Sequence, residues 1–143
     1  MGVCDEHRVL VFDPGDSTGW CFGCPEGVVG GTIYKSFEDI EKLFKVYKPD
    51  VVVYETFHLY AGAAKHLINN DFYTVQVIGA IKLLCIQRGI KWLIPQAPST
   101  KKYSGGLDAR WRDIEKIGGF TEHVKDAYMH LRFFERFGGK HLV

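Results

Sequence analysis

A chain of 143 residues with 46% hydrophobic and 24% charged side chains has enough apolar material for one soluble globular domain, spanning residues 1–143. The net charge of +1 says nothing by itself about nucleic acid, but residues 1–97 carry a net −2 and residues 98–143 a net +3, so the basic character gathers late. No run approaches the ~20 apolar residues that span a bilayer, and Met1 to Arg8 is polar and acidic, so neither a membrane helix nor a secretory leader is expected. The expected setting is a reducing cytoplasm, with the cysteines at 4, 21, 24 and 85 as thiols.

In chain order, His7–Phe12 ends in the apolar run Val9-Leu10-Val11-Phe12, the pattern of a strand buried on both faces, and Asp13-Pro14-Gly15 stops it. Trp20–Gly23 and Val28–Tyr34 predict two further strands around the turn Cys24-Pro25-Glu26-Gly27, giving an antiparallel meander. Cys21 and Cys24 have the spacing of half a zinc site, but no second pair follows, and the hairpin reading is favoured. Ser36 then caps a helix whose Phe37, Ile40, Leu43, Phe44 and Tyr47 recur at helical spacing, closed by Pro49. Val51–Tyr54 predicts a fourth buried strand ending at Glu55.

Asn69, Asn70 or Asp71 is expected to cap a long helix to Arg88, with an inward stripe of Phe72, Val75, Ile78, Leu83 and Ile86. Ile90–Ile94 predicts a fifth strand stopped by Pro95, and Gln96–Gly106 a polar loop carrying Lys101 and Lys102. Asp108–Ile117 predicts a short helix in which Asp108, Asp113 and Glu115 pair with Arg110, Arg112 and Lys116 on an exposed surface. Thr121 caps a last helix to about Phe137. The expected class is α/β, a five-stranded mixed sheet with three antiparallel strands followed by two parallel ones, flanked by helices.

Four residues fall where this order concentrates chemistry. Asp13 and Glu55 end buried strands, and His123 and Asp126, three apart, share one face of the last helix. Each has a plain structural explanation when taken singly: turn chemistry for Asp13, a strand reaching water for Glu55, a solvated first turn for His123 and Asp126. Together they form the donor set that hard divalent cations take, and two such ions can clamp both oxygens of an in-line phosphoryl displacement. His130, two turns after His123, is expected at the edge of the core.

Asp13-Pro14-Gly15 followed by Thr18-Gly19, Pro49-Asp50 through Glu55, Gln76-Val77-Ile78-Gly79-Ala80, Pro98–Gly105 with Lys101-Lys102, and His123-Val124-Lys125-Asp126-Ala127 come in the order of one known pattern. They resemble the RuvC-type Holliday junction resolvases of the RNase H-like superfamily. The resemblance implies a homodimer cutting four-way DNA junctions by symmetric paired incisions, in recombination and repair. It also implies two Mg²⁺ per site, with Mn²⁺ as a substitute: Asp13 bridging both, Glu55 and Asp126 each holding one, and His123 completing the set. An aromatic after the catalytic glutamate wedges into the junction in that family. Here Phe57 stands one place early and Tyr60 somewhat late, and Phe57 has an equal alternative as packing under the loop. Lys101 and Lys102 are the candidate phosphate contacts. Two other readings stand beside this one: a nuclease of the same fold acting on flaps, hybrids or other branched nucleic acids, and a non-catalytic binding module.

Overall fold

A computed structural model describes residues 6–57, 72–116 and 121–138. Five strands, β1 (Val9–Asp13), β2 (Ser17–Cys24), β3 (Gly27–Tyr34), β4 (Val51–Glu55) and β5 (Trp92–Gln96), form one sheet in the order β3-β2-β1-β4-β5. β1, β2 and β3 pair antiparallel, whereas β4 lies parallel to both β1 and β5. Around the sheet stand α1 (Phe37–Tyr47), α2 (Tyr73–Gln87), α3 (Ala109–Lys116) and α4 (Glu122–Phe137), with a 3₁₀ turn over Pro98–Tyr103.

Side chains alternate across a strand, so each central strand serves two cores. Val9, Val11, Val51 and Val53 face α4 and join Trp111, Val124, Tyr128, Leu131 and Phe134. Leu10, Phe12, Val52 and Tyr54 face the other way and join Ile40 and Phe44 of α1 and Val77 and Ile81 of α2. The same alternation separates Cys21, under α4, from Cys24, which packs on the opposite face, so the two thiols do not converge on one ion.

α4 sits close to the sheet because two glycines make room for it. A Cβ on Gly19 would lie 1.9 Å from the His123 carbonyl oxygen, and one on Gly30 would lie 3.0 Å from Val124 Cγ1. The helix start is fixed from both sides. Thr121 Oγ1 accepts a hydrogen bond from the Val124 amide at 3.2 Å and lies 2.9 Å from Thr32 Oγ1 of β3.

Three local expectations are corrected. The fifth strand runs through Pro95 to Gln96, which an edge strand permits because the missing N–H is not needed by a further neighbour. Helix α2 has Phe72 at its N-cap with no side-chain hydrogen bond, rather than Asn69, Asn70 or Asp71. Phe72 is held instead by its ring, 5.6 Å from that of Phe57. The buried face of α2 is Val77, Ile81, Leu84 and Cys85, while Val75, Leu83 and Ile86 are 51%, 54% and 76% exposed. That helix is apolar almost all round, so periodicity alone does not say which stripe turns inward.

The segment before α4 is also less exposed than expected. Trp111 and Ile114 are buried. Arg110 pairs with Glu135 at 2.5 and 2.8 Å, and Asp108 accepts from Tyr128 Oη, from Arg110 and from Arg132. Asp108 and Arg110 thus fasten the segment to α4, while Arg112 is exposed as expected. The side chains of 113, 115 and 116 lie outside the described part.

Candidate active site

Sheet register places the candidate residues in one row. Asp13 has the parity of Val9 and Val11, and Glu55 that of Val51 and Val53, so both carboxyls project toward α4. β1 and β4 are parallel neighbours paired up to Phe12 and Tyr54, which brings the next residues, Asp13 and Glu55, side by side at the strand tips. The row continues on both sides: Asp13 pairs with Gly19, Gly19 with Thr32, and Glu55 with Gln96. Across five strand ends it reads Thr32, Gly19, Asp13, Glu55, Gln96, and α4 lies along it.

From α4, His123 brings Nδ1 to 3.6 Å from Asp13 Oδ2. Asp126, one turn on, faces Lys101, whose ammonium lies 3.4 Å from Asp126 Oδ2 and 2.8 Å from Glu55 Oε1. All four residues expected at a metal site therefore meet at one place. Lys101 joins them there, turned inward by the 3₁₀ turn that sequence reasoning read as loop. Lys102 points elsewhere, its ammonium 5.4 Å above the Tyr103 ring. Phe57 is 37% exposed beside Phe72. Tyr60 lies outside the described residues.

The electrostatics explain why a cation belongs here. Burial, then the negative charge of Glu55, a hydrogen bond with it and the charge of Asp126 push the Asp13 carboxyl up to about 8 from the usual 3.8. Burial also acts to raise Glu55, but hydrogen bonds from His130, Lys101 and Asp13 outweigh it and hold that carboxyl far below its usual range. The pair titrates together and retains a proton at neutral pH. Lys101 is held charged by the same carboxylates against the pull of burial.

Among the described residues, no group of three or more His, Cys, Asp and Glu side chains is poised to hold an ion as it stands. The obstacle is visible: the Lys101 ammonium stands between Glu55 and Asp126, where it is a positive stand-in. Oxygen donors that repel one another and already share one cation suit Mg²⁺ or Mn²⁺, with His123 adding a nitrogen that favours Mn²⁺. The donor chemistry fits such ions, which would have to displace Lys101.

Sequence reasoning missed the part of His130. It is fully buried, and its Nε2 lies 2.9 Å from Glu55 Oε1. A signal existed: His130 follows Asp126 by four residues and so shares its helix face.

A scan against protein-family models finds no match, and neither does a search of curated proteins. Solved structures do match. RuvC of Thermus thermophilus in complex with a Holliday junction superposes with a TM-score of 0.62 at 16% identity, covering 92% of this chain and 96% of that one. The fold is that of RuvC. A second Thermus thermophilus RuvC structure gives a TM-score of 0.59 at 17% identity, over the same shares of both chains. The yeast mitochondrial Holliday junction resolvase Ydc2 gives 0.60 at 14% identity, covering 96% of this chain and 82% of that one. The expected RNase H-like architecture, three antiparallel strands followed by two parallel ones, is thus the one observed.

Proposed function

We propose that the chain is a metal-dependent Holliday junction resolvase, a crossover junction endodeoxyribonuclease of the cytoplasm that cuts four-way DNA at symmetric positions. The observation that carries this reading is the convergence of Asp13, Glu55 and Asp126 with His123 at the tips of adjacent parallel strands. Asp13, the most buried of the set, is central and would bridge two Mg²⁺. Glu55 and Asp126 would each hold one, and His123 would complete the set. Bound divalent ions would supply an activated water and charge neutralisation for phosphodiester hydrolysis.

The chain's own residues do the rest. The tight seat of α4 holds His123 and Asp126 at a fixed height above Asp13. Lys101, released from the carboxylates, would meet a phosphate oxygen, and Lys102 would leave the Tyr103 ring to track the backbone of the same strand. Phe57 or Tyr60, two and five residues after Glu55, would supply a ring for a base at an opened junction.

Two opposed strands are cut in a four-way junction, so two sites related by a twofold are needed. The outward apolar residues Val75, Leu83 and Ile86 of α2 support a homodimer through that helix.

The test is to incubate purified protein with a synthetic four-way junction and with a matched linear duplex, with and without Mg²⁺ or Mn²⁺. Paired nicks in the junction that need metal are expected, faster in Mn²⁺. A strictly monomeric protein that degrades both substrates equally would leave a general nuclease and remove the resolvase.

A further inference from the structure

The buried residues that flank Glu55 have no part in the proposed ligand set, yet they are arranged around it. His130 is fully buried in α4 and uses both ring nitrogens. Its Nε2 is 2.9 Å from Glu55 Oε1, and its Nδ1 is 2.7 Å from the Gln96 side-chain amide. Gln96 is itself buried at the tip of β5, in register with Glu55. Thr100 Oγ1 lies 3.4 Å from the same Nδ1, but its hydroxyl donates to the Ala97 carbonyl at 2.8 Å. The Gln96 atom facing Nδ1 is Oε1; turned over, the amide donates to Nδ1 and leaves Nε2–H to donate to the Glu55 carboxylate, which when ionised only accepts.

We propose that His130, backed by Gln96, is a positioning residue that fixes the Glu55 carboxylate for metal binding. This rests on the reading of Glu55 as a ligand. Glu55 Oε1 is held by His130 and Lys101 together. When Lys101 leaves for a phosphate and Asp13 turns to an ion, His130 is the partner that still keeps the carboxylate from turning away. A buried imidazole that merely completed the core would be indifferent to what lies beyond Nε2. Here that nitrogen addresses the one acidic side chain on β4, and a second strand supplies a residue to orient the ring.

Hydrogen-bond partners of metal-ligating side chains typically change metal affinity by 10–100-fold when removed. The measurement is Mn²⁺ affinity of the full chain by calorimetry, beside metal-free junction binding and thermal melting. His130→Leu fills the space without a donor and is expected to weaken Mn²⁺ binding by about 10–100-fold while junction binding stays as in the wild type. His130→Gln places an amide N–H near the former Nε2 and is expected to recover most of the loss.

Should His130→Leu not fold, Gln96→Met carries the same test, with an expected loss of about 3–10-fold. Wild-type Mn²⁺ affinity in His130→Leu, or in Gln96→Met when only that variant folds, overturns the proposal. So does a His130→Gln protein no better than His130→Leu, since the role would then be packing. A wild-type protein whose Mn²⁺ binding is absent, or unchanged by Asp13→Asn, overturns the metal-site reading itself and is thereby told apart.

Discussion

Helices α4 and α2 cover opposite faces of the same sheet, and they are built on different principles. α4 is capped by Thr121, lowered onto Gly19 and Gly30, and tied by Arg110–Glu135 to the segment before it. α2 begins at Phe72 without a side-chain cap, buries only one of its apolar stripes and leaves Val75, Leu83 and Ile86 outside. The first helix spends its sequence on position, the second on surface. Under the proposed function the difference would follow from what each carries, since metal ligands must be held to within fractions of an ångström whereas an association face tolerates shifts that a partner can follow.

The largest expected effect comes from the centre of the α4 side. Asp13→Asn removes the carboxylate proposed to bridge the two ions and is expected to lower cleavage by at least about 10³-fold, with junction binding retained. A quantitative nicking assay beside a gel-shift measurement checks it, and undiminished cutting would remove Asp13 from the site.

Next comes the seat of the helix. Gly19→Ala places a Cβ against the His123 carbonyl, with only backbone available to move, and is expected to cost about 3 kcal/mol. Urea unfolding measures this, and Gly79→Ala is the control on α2, where an added Cβ meets nothing within 4 Å.

A pH profile of the metal-free protein sharpens the contrast further. The Asp13 carboxyl is raised from 3.8 to about 8, so the folded state holds a proton that the unfolded chain releases. Its contribution is full below about pH 4 and is lost as the pH rises toward 8. The lowered Glu55 carboxyl works in the opposite sense, its contribution being present above pH 4.5 and lost on further acidification. Metal-free melting temperatures are therefore expected to fall by several degrees from pH 5 to pH 8, a slope that Asp13→Asn flattens and Mn²⁺ cancels.

Smaller effects come from the cap and from the exposed stripe. Thr121→Ala is expected to cost about 1 kcal/mol, by the loss of the Val124 bond and of the contact with Thr32. Ile86→Glu on α2 is expected to change monomer stability by no more than about 0.5 kcal/mol. It should nevertheless shift the molecular mass in sedimentation from dimer to monomer. An unchanged mass would place the interface elsewhere.

Sequence reading reached Asp13 and Glu55 because a strand that is buried on both faces and then ends in an acid is written in consecutive letters. It reached His123 and Asp126 because helical spacing and the Thr121 cap are local too. What it missed was decided across the sheet. The role proposed for His130 comes only from Glu55 and Gln96, which belong to two strands far from it in sequence. Lys101 turns inward because Pro98–Tyr103 winds into a 3₁₀ turn, which polar composition did not distinguish from loop. α2 was read with the wrong stripe inward because apolar residues on several faces leave the choice to the sheet beneath it.

The row at the strand tips has a consequence for synthesis. Thr32, Gly19, Asp13, Glu55 and Gln96 come from five strands, and α4, which completes the row, follows all of them in the chain. A nascent chain that has folded its hairpins and its first helices still lacks Asp126 and His123. A chain still being synthesised therefore cannot bring all four residues together, and contacts of such long sequence separation are slow to form. Under the proposed function, an incomplete chain would have no complete site with which to cut DNA.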